Sequence, residues 1–144
     1  MGSPPPPVQR GRGDGADRVI FVDTNVFMYA VGREHPLADE ARAFFRAQAK
    51  SGDPLATSAE VLQELLNAYL PVKRDETLDA AFRLATSRVG TIWSLEADDV
   101  LMARTLADRY PGLAARDLVH LACCRRRGVD RVKTFDRGLA AAFA

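Results

Sequence analysis

The chain has 144 residues, enough for one domain with a single core but too few for two. Hydrophobic residues make up 47% and charged residues 27%, which excludes a disordered chain. The net charge of +1 provides no bulk field for nucleic acid, so a polyanion would have to be held by a local basic patch or by metal ions. The longest apolar stretch, 19–31, is interrupted by polar residues and is too short to span a membrane, and we expect no membrane association.

The first 18 residues contain almost no apolar side chains. They include PPPP and the run RGRGDGADR, a composition typical of a flexible and partly extended tail. We therefore predict a tail over 1–18 and one folded domain over 19–144.

From residue 19 onward, short apolar runs alternate with segments of helical spacing. Strands are predicted at 19–22, 55–57, 91–95 and 131–135. Helices are predicted to start at Thr24–Asn25 and to cover 36–50, 58–70, 75–88, 96–110 and 117–127, the last capped by Gly128. This alternation predicts a parallel α/β sheet with right-handed crossovers.

Two predicted strands end directly on an aspartate. Asp23 follows VIFV and Asp136 follows RVKTF. An aspartate after a strand is often only a turn residue. In a parallel sheet, however, ligands collect beyond the carboxyl ends of the strands, so these two carboxylates are expected at the same edge.

Three helical acids have different interpretations. Thr57 and Glu60 match a T-x-x-E capping box, which gives Glu60 a structural role. Glu64 borders the apolar arc of its helix and faces the rim of the sheet, where a carboxylate is costly unless a cation pairs with it. Asp117 begins a later helix, where either the helix dipole or a ligand role would explain it.

Other polar residues have simpler explanations. The acids of EADD at 96–99 lie in the first turn of a helix, where the dipole favours them. Cys123 and Cys124 are adjacent in a helix, which suits neither a disulfide nor a metal site, and we predict that they pack in the core of a cytoplasmic protein. His120 is interpreted as a partly buried packing residue and not as a catalyst.

Four motifs follow one another along the chain: VDTN at 22–25, VLQEL at 61–65, RDLVHLA at 116–122 and TFDRGL at 134–139. Together they resemble a PIN domain, and the chain is similar in length and single-domain build to the VapC-type toxins of bacterial toxin–antitoxin pairs. The resemblance extends from Val19 to the C-terminus. It implies a three-layer α/β/α fold around a mostly parallel sheet.

The resemblance also implies an endoribonuclease that uses Mg²⁺, with Mn²⁺ able to substitute. The catalytic, metal-binding acids would be those that match the family motifs: Asp23, Glu64, Asp117 and Asp136. The residues that would support these acids are Thr24, Asn25 and Thr134. Since such cations prefer oxygen ligands, four acids can serve one or two ions, and no His or Lys base is required.

The implied partners are single-stranded or loop RNA, a small antitoxin and a second copy of the chain. Arg116 and Arg137 adjoin predicted metal ligands and are predicted to contact phosphates. The basic stripe Arg42, Arg46 and Lys50 is interpreted as a solvated helix face. The antitoxin groove or the core would account for five apolar side chains: Phe44, Phe45, Leu66, Tyr69 and Leu70.

Two other functions remain open. A non-catalytic RNA- or protein-binding domain of the same fold would explain the architecture, although retention of all four acids argues against it. Phosphoryl transfer onto Asp23 is the weaker alternative, because an aspartyl phosphatase needs a second Asp two residues on, where this chain has Asn25.

Overall fold

A computed structural model of the chain describes residues 18–144. Apart from Arg18, the predicted tail over 1–18 lies outside the described residues. The strands are β1 (Ile20–Val22), β2 (Leu55–Ser58), β3 (Thr91–Trp93) and β4 (Arg131–Lys133). The helices are α1 (Thr24–Val31), α2 (Pro36–Ser51), α3 (Ala59–Tyr69), α4 (Asp75–Arg88), α5 (Ala97–Ala107), α6 (Ala115–Arg126) and α7 (Arg137–Ala142).

The four strands form one sheet in the order β3-β2-β1-β4, and every pair is parallel. Ile20 of β1 lies opposite Leu55 of β2 and Arg131 of β4. All three residues of β1 are buried, as its apolar sequence predicts for a strand covered on both faces. The predicted three-layer α/β/α architecture is confirmed, and the sheet of the described residues is entirely parallel.

The helices form two packed groups. Helix α1 contacts α2, α3 and α4, α3 also contacts α4, and α6 contacts both α5 and α7. A main core cluster includes Phe21, Phe27 and Leu65, while a smaller one joins α5, α6 and α7 through Leu106, Leu121 and Leu139. Burial of these apolar faces fixes the position of each helix against the sheet.

Several element ends differ from the prediction. Strand β4 ends at Lys133 and not at Phe135, so Thr134 and the following residues leave the sheet. The predicted Thr57–Glu60 capping box is wrong, because β2 continues through Ser58, whose hydroxyl accepts from the Val61 amide at 3.3 Å. The Thr57 hydroxyl instead donates to the Val22 carbonyl at 2.8 Å, linking β2 to the end of β1.

Cys123 and Cys124 are buried and free, so their prediction as packing residues is confirmed. Burial raises the pKa of Cys123 to about 12 and also raises that of Cys124, which keeps both as neutral thiols. Among residues 18–144, none of the helices has the length and apolar character that crossing a membrane requires.

Candidate active site

The ends of neighbouring strands β1 and β4 bring the predicted acids to one edge of the sheet. Asp23 directly follows β1, and its amide donates to the carbonyl of Lys133, the last residue of β4, at 3.0 Å. A cavity of about 380 Å³ opens at this edge. Its lining includes all four predicted acids: Asp23, Glu64, Asp117 and Asp136. Four carboxylates from distant parts of the chain therefore meet in one place.

Asp23 is only 4% exposed, and hydrogen bonds fix its side chain at the edge of the cavity. Its Oδ1 accepts from the Thr24 amide at 2.7 Å, which makes Asp23 the N-cap of α1. Its Oδ2 accepts from the Thr134 hydroxyl at 2.6 Å. Both oxygens are thus oriented by neutral donors.

The loop after β4 is tied to α1 by a small hydrogen-bond network. The Asn25 Oδ1 accepts from the Phe135 amide at 3.2 Å, and its Nδ2 lies 3.5 Å from the Thr134 hydroxyl oxygen. That oxygen also accepts from the Asp136 amide at 3.0 Å. Because β4 has already ended, Thr134 turns towards the acids, and the predicted supporting residues do contact them or their loop.

Glu64 enters the cavity from α3. Its Oε1 accepts from the Thr24 hydroxyl and, at 3.2 Å, from His120 Nε2. Its Oε2 is buried and has no hydrogen-bond partner within 18–144, with Arg116 Nε 3.8 Å away. Burial alone would raise the pKa of Glu64, but the contacts with His120, Thr24 and Arg116 outweigh it and lower the pKa.

His120 packs in the core against Phe21, as predicted, but it is fully buried and also contacts the acids of the site, which its interpretation as a packing residue did not include. The side chain is only 1% exposed, and Nε2 lies 3.7 Å from Asp23 Oδ1 as well as 3.2 Å from Glu64. Potential ligand atoms of Asp23, Glu64 and His120 all lie within 4.8 Å of one another. The sequence signal was present: His120 follows Asp117 by three residues, which puts both on one helix face.

Asp117 and Asp136 complete the cavity in different ways. Asp117 lies in the first turn of α6 and lines the cavity, so its position suits both the dipole and the ligand explanation. Burial and the nearby carboxylates, with Asp136 first, raise the pKa of Asp117 to about 6 despite the opposing effect of His120. Asp136 is exposed and caps α7, accepting from the Leu139 amide at 3.1 Å.

The arginines singled out in the sequence have different surroundings in the structure. Arg116 is exposed and lines the cavity, whereas Arg137 is exposed at the start of α7 and does not line it. Arg42 donates to the carbonyls of Ala30 and Gly32, each at 2.9 Å, so it is structural and not simply solvated.

Arg46 and Lys50 are exposed as expected. Of the five apolar side chains with two possible roles, Phe45 and Tyr69 belong to the core, while Leu70 is 50% exposed.

Comparisons with known proteins agree with this geometry. The family model for the PIN domain matches residues 20–143. Ribonuclease VapC23 of Mycobacterium tuberculosis is 62% identical over 125 residues, which is 87% of this chain and 98% of that protein. Ribonuclease VapC13 of the same species is 38% identical over 120 residues, or 83% of this chain and 92% of that protein.

A solved structure has the same fold. Mycobacterium tuberculosis VapC20, a sarcin-ricin loop cleaving toxin, superimposes with a TM-score of 0.71 at 23% identity, covering 85% of this chain and 94% of that one. The chain belongs to the PIN domain family and, within it, to the VapC ribonucleases.

Proposed function

We propose that this chain is a divalent-cation-dependent endoribonuclease and the toxin of a toxin–antitoxin pair. Its substrate would be single-stranded or loop RNA, and the reaction is hydrolysis of a phosphodiester bond. The observation that carries the proposal is the meeting of four carboxylates in one cavity of a chain that is 62% identical to a VapC ribonuclease. The matching region, 20–143, supports a catalytic domain over 19–144.

The donor set fits a hard divalent cation such as Mg²⁺, with Mn²⁺ as a substitute. Carboxylate oxygens dominate the cavity, and the buried Glu64 Oε2 lacks a hydrogen-bond donor among the described residues. The residues proposed to hold the cation are Asp23, Glu64, Asp117 and Asp136. A bound cation supplies charge neutralisation and Lewis-acid polarisation of the phosphodiester.

The side chains around the acids have supporting roles. Thr24 and Thr134 fix the oxygens of Glu64 and Asp23, and Asn25 holds the loop that carries Asp136. Arg116 lies at the cavity with its guanidinium exposed, where it is suited to bind a phosphate of the incoming strand. Arg137, next to Asp136, is proposed as a second phosphate contact further out.

The contacts of Asp23 argue against phosphoryl transfer onto this residue. A nucleophilic carboxylate needs an oxygen that is free for in-line attack, yet Asp23 is 4% exposed and both of its oxygens already accept hydrogen bonds. A cation can still use a remaining lone pair of either oxygen. A non-catalytic binding domain would not need four converging acids, which together with burial raise the pKa of Asp117. The contacts therefore favour hydrolysis over both alternatives.

The proposed partners follow from the family. We propose a small antitoxin as the inhibitor, a homodimer as the assembly and the cytoplasm as the location. The exposed Leu70 and Val72 after α3 supply apolar surface for a protein partner. The free buried thiols of Cys123 and Cys124 suit a reducing compartment.

The test is RNA cleavage by the purified full chain. We expect cleavage with Mg²⁺ or Mn²⁺, none after chelation and none by Asp23→Asn. Asp79→Asn is the matched control, since Asp79 is an exposed acid on α4. Mapping of new RNA 5′ ends after brief expression identifies the substrate. Equal cleavage by wild type and Asp23→Asn would contradict the proposal.

A further inference from the structure

His120 is buried beside the site and is not part of the cavity lining. Only 1% of the side chain is exposed. Its ring packs against Phe21 with the ring centroids 5.5 Å apart. An RNA strand in the cavity cannot reach this imidazole, so a role as general acid or base is excluded. Any influence of His120 on the reaction must pass through the groups it contacts.

The contact that matters is with Glu64. An ionised carboxylate only accepts hydrogen bonds, so the imidazole proton lies on Nε2 and is donated to Glu64 Oε1 at 3.2 Å. A proton on Nε2 also means that this nitrogen has no lone pair for a metal. In this tautomer His120 is a donor to the proposed cation ligand Glu64 and not itself a ligand.

The two oxygens of Glu64 have very different surroundings. Oε1 is held by Thr24 of α1 and His120 of α6, two helices that approach from different parts of the chain. Oε2 is buried, and within 18–144 no donor is hydrogen-bonded to it, although Arg116 Nε lies 3.8 Å away. A buried oxygen without a hydrogen bond is costly unless a ligand completes it. When one oxygen of a carboxylate is anchored, the orientation of the other oxygen is fixed as well, just as hydrogen-bond partners orient the ligands of metal sites.

We propose that His120 is a positioning residue that anchors Glu64 Oε1 and thereby presents Glu64 Oε2 to the divalent cation. The inference rests on the proposed cation dependence of the nuclease. It predicts that the cation affinity of the site falls when the Nε2 donor of His120 is removed. A purely structural His120 would affect folding stability and leave the affinity of the folded protein unchanged.

A matched pair of variants separates these roles. In His120→Gln the amide nitrogen takes the place of Nε2 and keeps a donor, whereas His120→Met has similar length and no donor. Titration calorimetry with Mn²⁺ on the metal-free full chain measures the affinity. We expect His120→Met to bind about 10–100-fold more weakly than wild type and His120→Gln to stay within about 3-fold. Circular dichroism checks that each protein is folded. If His120→Met does not fold, His120→Asn takes its place, because the shorter Asn amide does not reach Glu64.

The pairing with Glu64 is tested by a double-mutant cycle. In a Glu64→Gln background, the change His120→Met is expected to weaken Mn²⁺ binding by less than about 3-fold, because its target carboxylate is gone. An undiminished effect in that background would overturn the inference. So would wild-type affinity in folded His120→Met, or equal weakening in His120→Gln and His120→Met.

RNA cleavage by the wild-type protein in the same Mn²⁺ solutions distinguishes this inference from the proposed function. Cleavage together with unchanged Mn²⁺ affinity in His120→Met refutes the role of His120 and leaves the function intact. Mn²⁺ binding that depends on His120 without any RNA cleavage supports the inference and refutes the function. A wild type that binds no Mn²⁺ overturns the inference.

Discussion

Two buried aspartates, Asp23 and Asp99, lie in opposite electrostatic surroundings. Asp99 is 0% exposed, and its Oδ1 accepts from Arg126 and Arg127, each at 2.7 Å. Its Oδ2 accepts from the Glu96 amide at 2.8 Å. Asp23 is 4% exposed, and its one ion-pair contact within 18–144 is the imidazole of His120 at 3.7 Å. Burial of an acid therefore does not identify a site, whereas burial without an arginine or lysine partner makes an acid a candidate for one.

The pKa values of the two regions separate in the same way. Burial alone would raise the pKa of Asp99, but hydrogen bonds from Arg127, the Glu96 amide and Arg126 hold it far below its usual range. In the cavity, burial and neighbouring carboxylates raise the pKa of Asp117 to about 6. The Asp99 cluster is neutralised by the chain itself, whereas the four carboxylates of the cavity have only His120 and Arg116 as cationic neighbours within 18–144, in keeping with the proposed cation.

The largest expected effect comes from changing the two aspartates in parallel. Asp23→Asn should lower RNA cleavage by more than about 100-fold, beyond the loss typical of outer contacts at a metal site, while the protein stays folded. Asp99→Asn should lower the unfolding free energy by roughly 1.5–3 kcal/mol, the range for hydrogen bonds to charged groups, because Arg126 and Arg127 then lose their buried partner and keep the exposed Glu96. Urea unfolding and cleavage assays on both variants check that one loses activity and the other loses stability. An equal loss of activity in the two variants, compared at the same folded fraction, would contradict this expectation.

Stabilisation of the protein by a cation should depend on Asp23 and not on Asp99. Mn²⁺ at about 100 times its dissociation constant is expected to add about 2.7 kcal/mol to the unfolding free energy of the wild type. Asp23→Asn should lose most of this gain, because it lacks one ligand carboxylate. Asp99→Asn should show the same increase in unfolding free energy with Mn²⁺, starting from a lower value without it. Thermal unfolding with Mn²⁺ and with chelator measures both, and an Mn²⁺ response of Asp23→Asn as large as that of wild type would exclude this ligand role.

The metal-free protein should show opposite pH dependences for the two regions. The folded-state pKa of Asp99 is lowered, so its stabilisation is present above the unfolded pKa of about 3.9 and is lost as the pH falls below it. The pKa of Asp117 is raised to about 6, so its contribution is present below about pH 3.9 and is lost as the pH rises through 6.

Unfolding free energies from pH 3 to pH 8 in chelator test both signs. Asp99→Asn should flatten the acid limb, and Asp117→Asn should flatten the fall between pH 4 and pH 6. Identical pH profiles for the wild type and both variants would contradict these assignments.

The smallest expected effects concern the arginines outside the Asp99 cluster. Arg116→Ala should raise the KM for RNA several-fold and lower the salt dependence of binding by about 0.7 in slope, as for one lost phosphate contact. Arg137→Ala should have a smaller effect, because Arg137 does not line the cavity. Arg83→Ala, an exposed arginine on α4, is the control. Wild-type KM and salt slope in Arg116→Ala would remove this residue from the RNA contact.

Local sequence information was sufficient for much of the fold and for the acids of the candidate site. Apolar runs and helical spacing predicted α4 at its observed bounds and α2 to within one residue, because these patterns depend on neighbouring residues only. The cavity acids were predicted from motif order and from strand ends, where parallel topology brings distant residues to one edge. The capping prediction at Thr57 failed, because the length of β2 is set by its pairing with β3, in which Ser58 lies opposite Trp93.

The sequence by itself determined the alternation of elements, the parallel sheet and the carboxylates at its edge, since periodicity and strand-end chemistry are local properties. Only the tertiary structure decided which buried acids have cationic partners. Arg126 and Arg127 reach Asp99 from 27 and 28 residues away, and His120 reaches Glu64 from 56 residues away. Such pairings depend on which helices pack side by side, and the charge balance of each buried group was therefore fixed only when the whole chain folded.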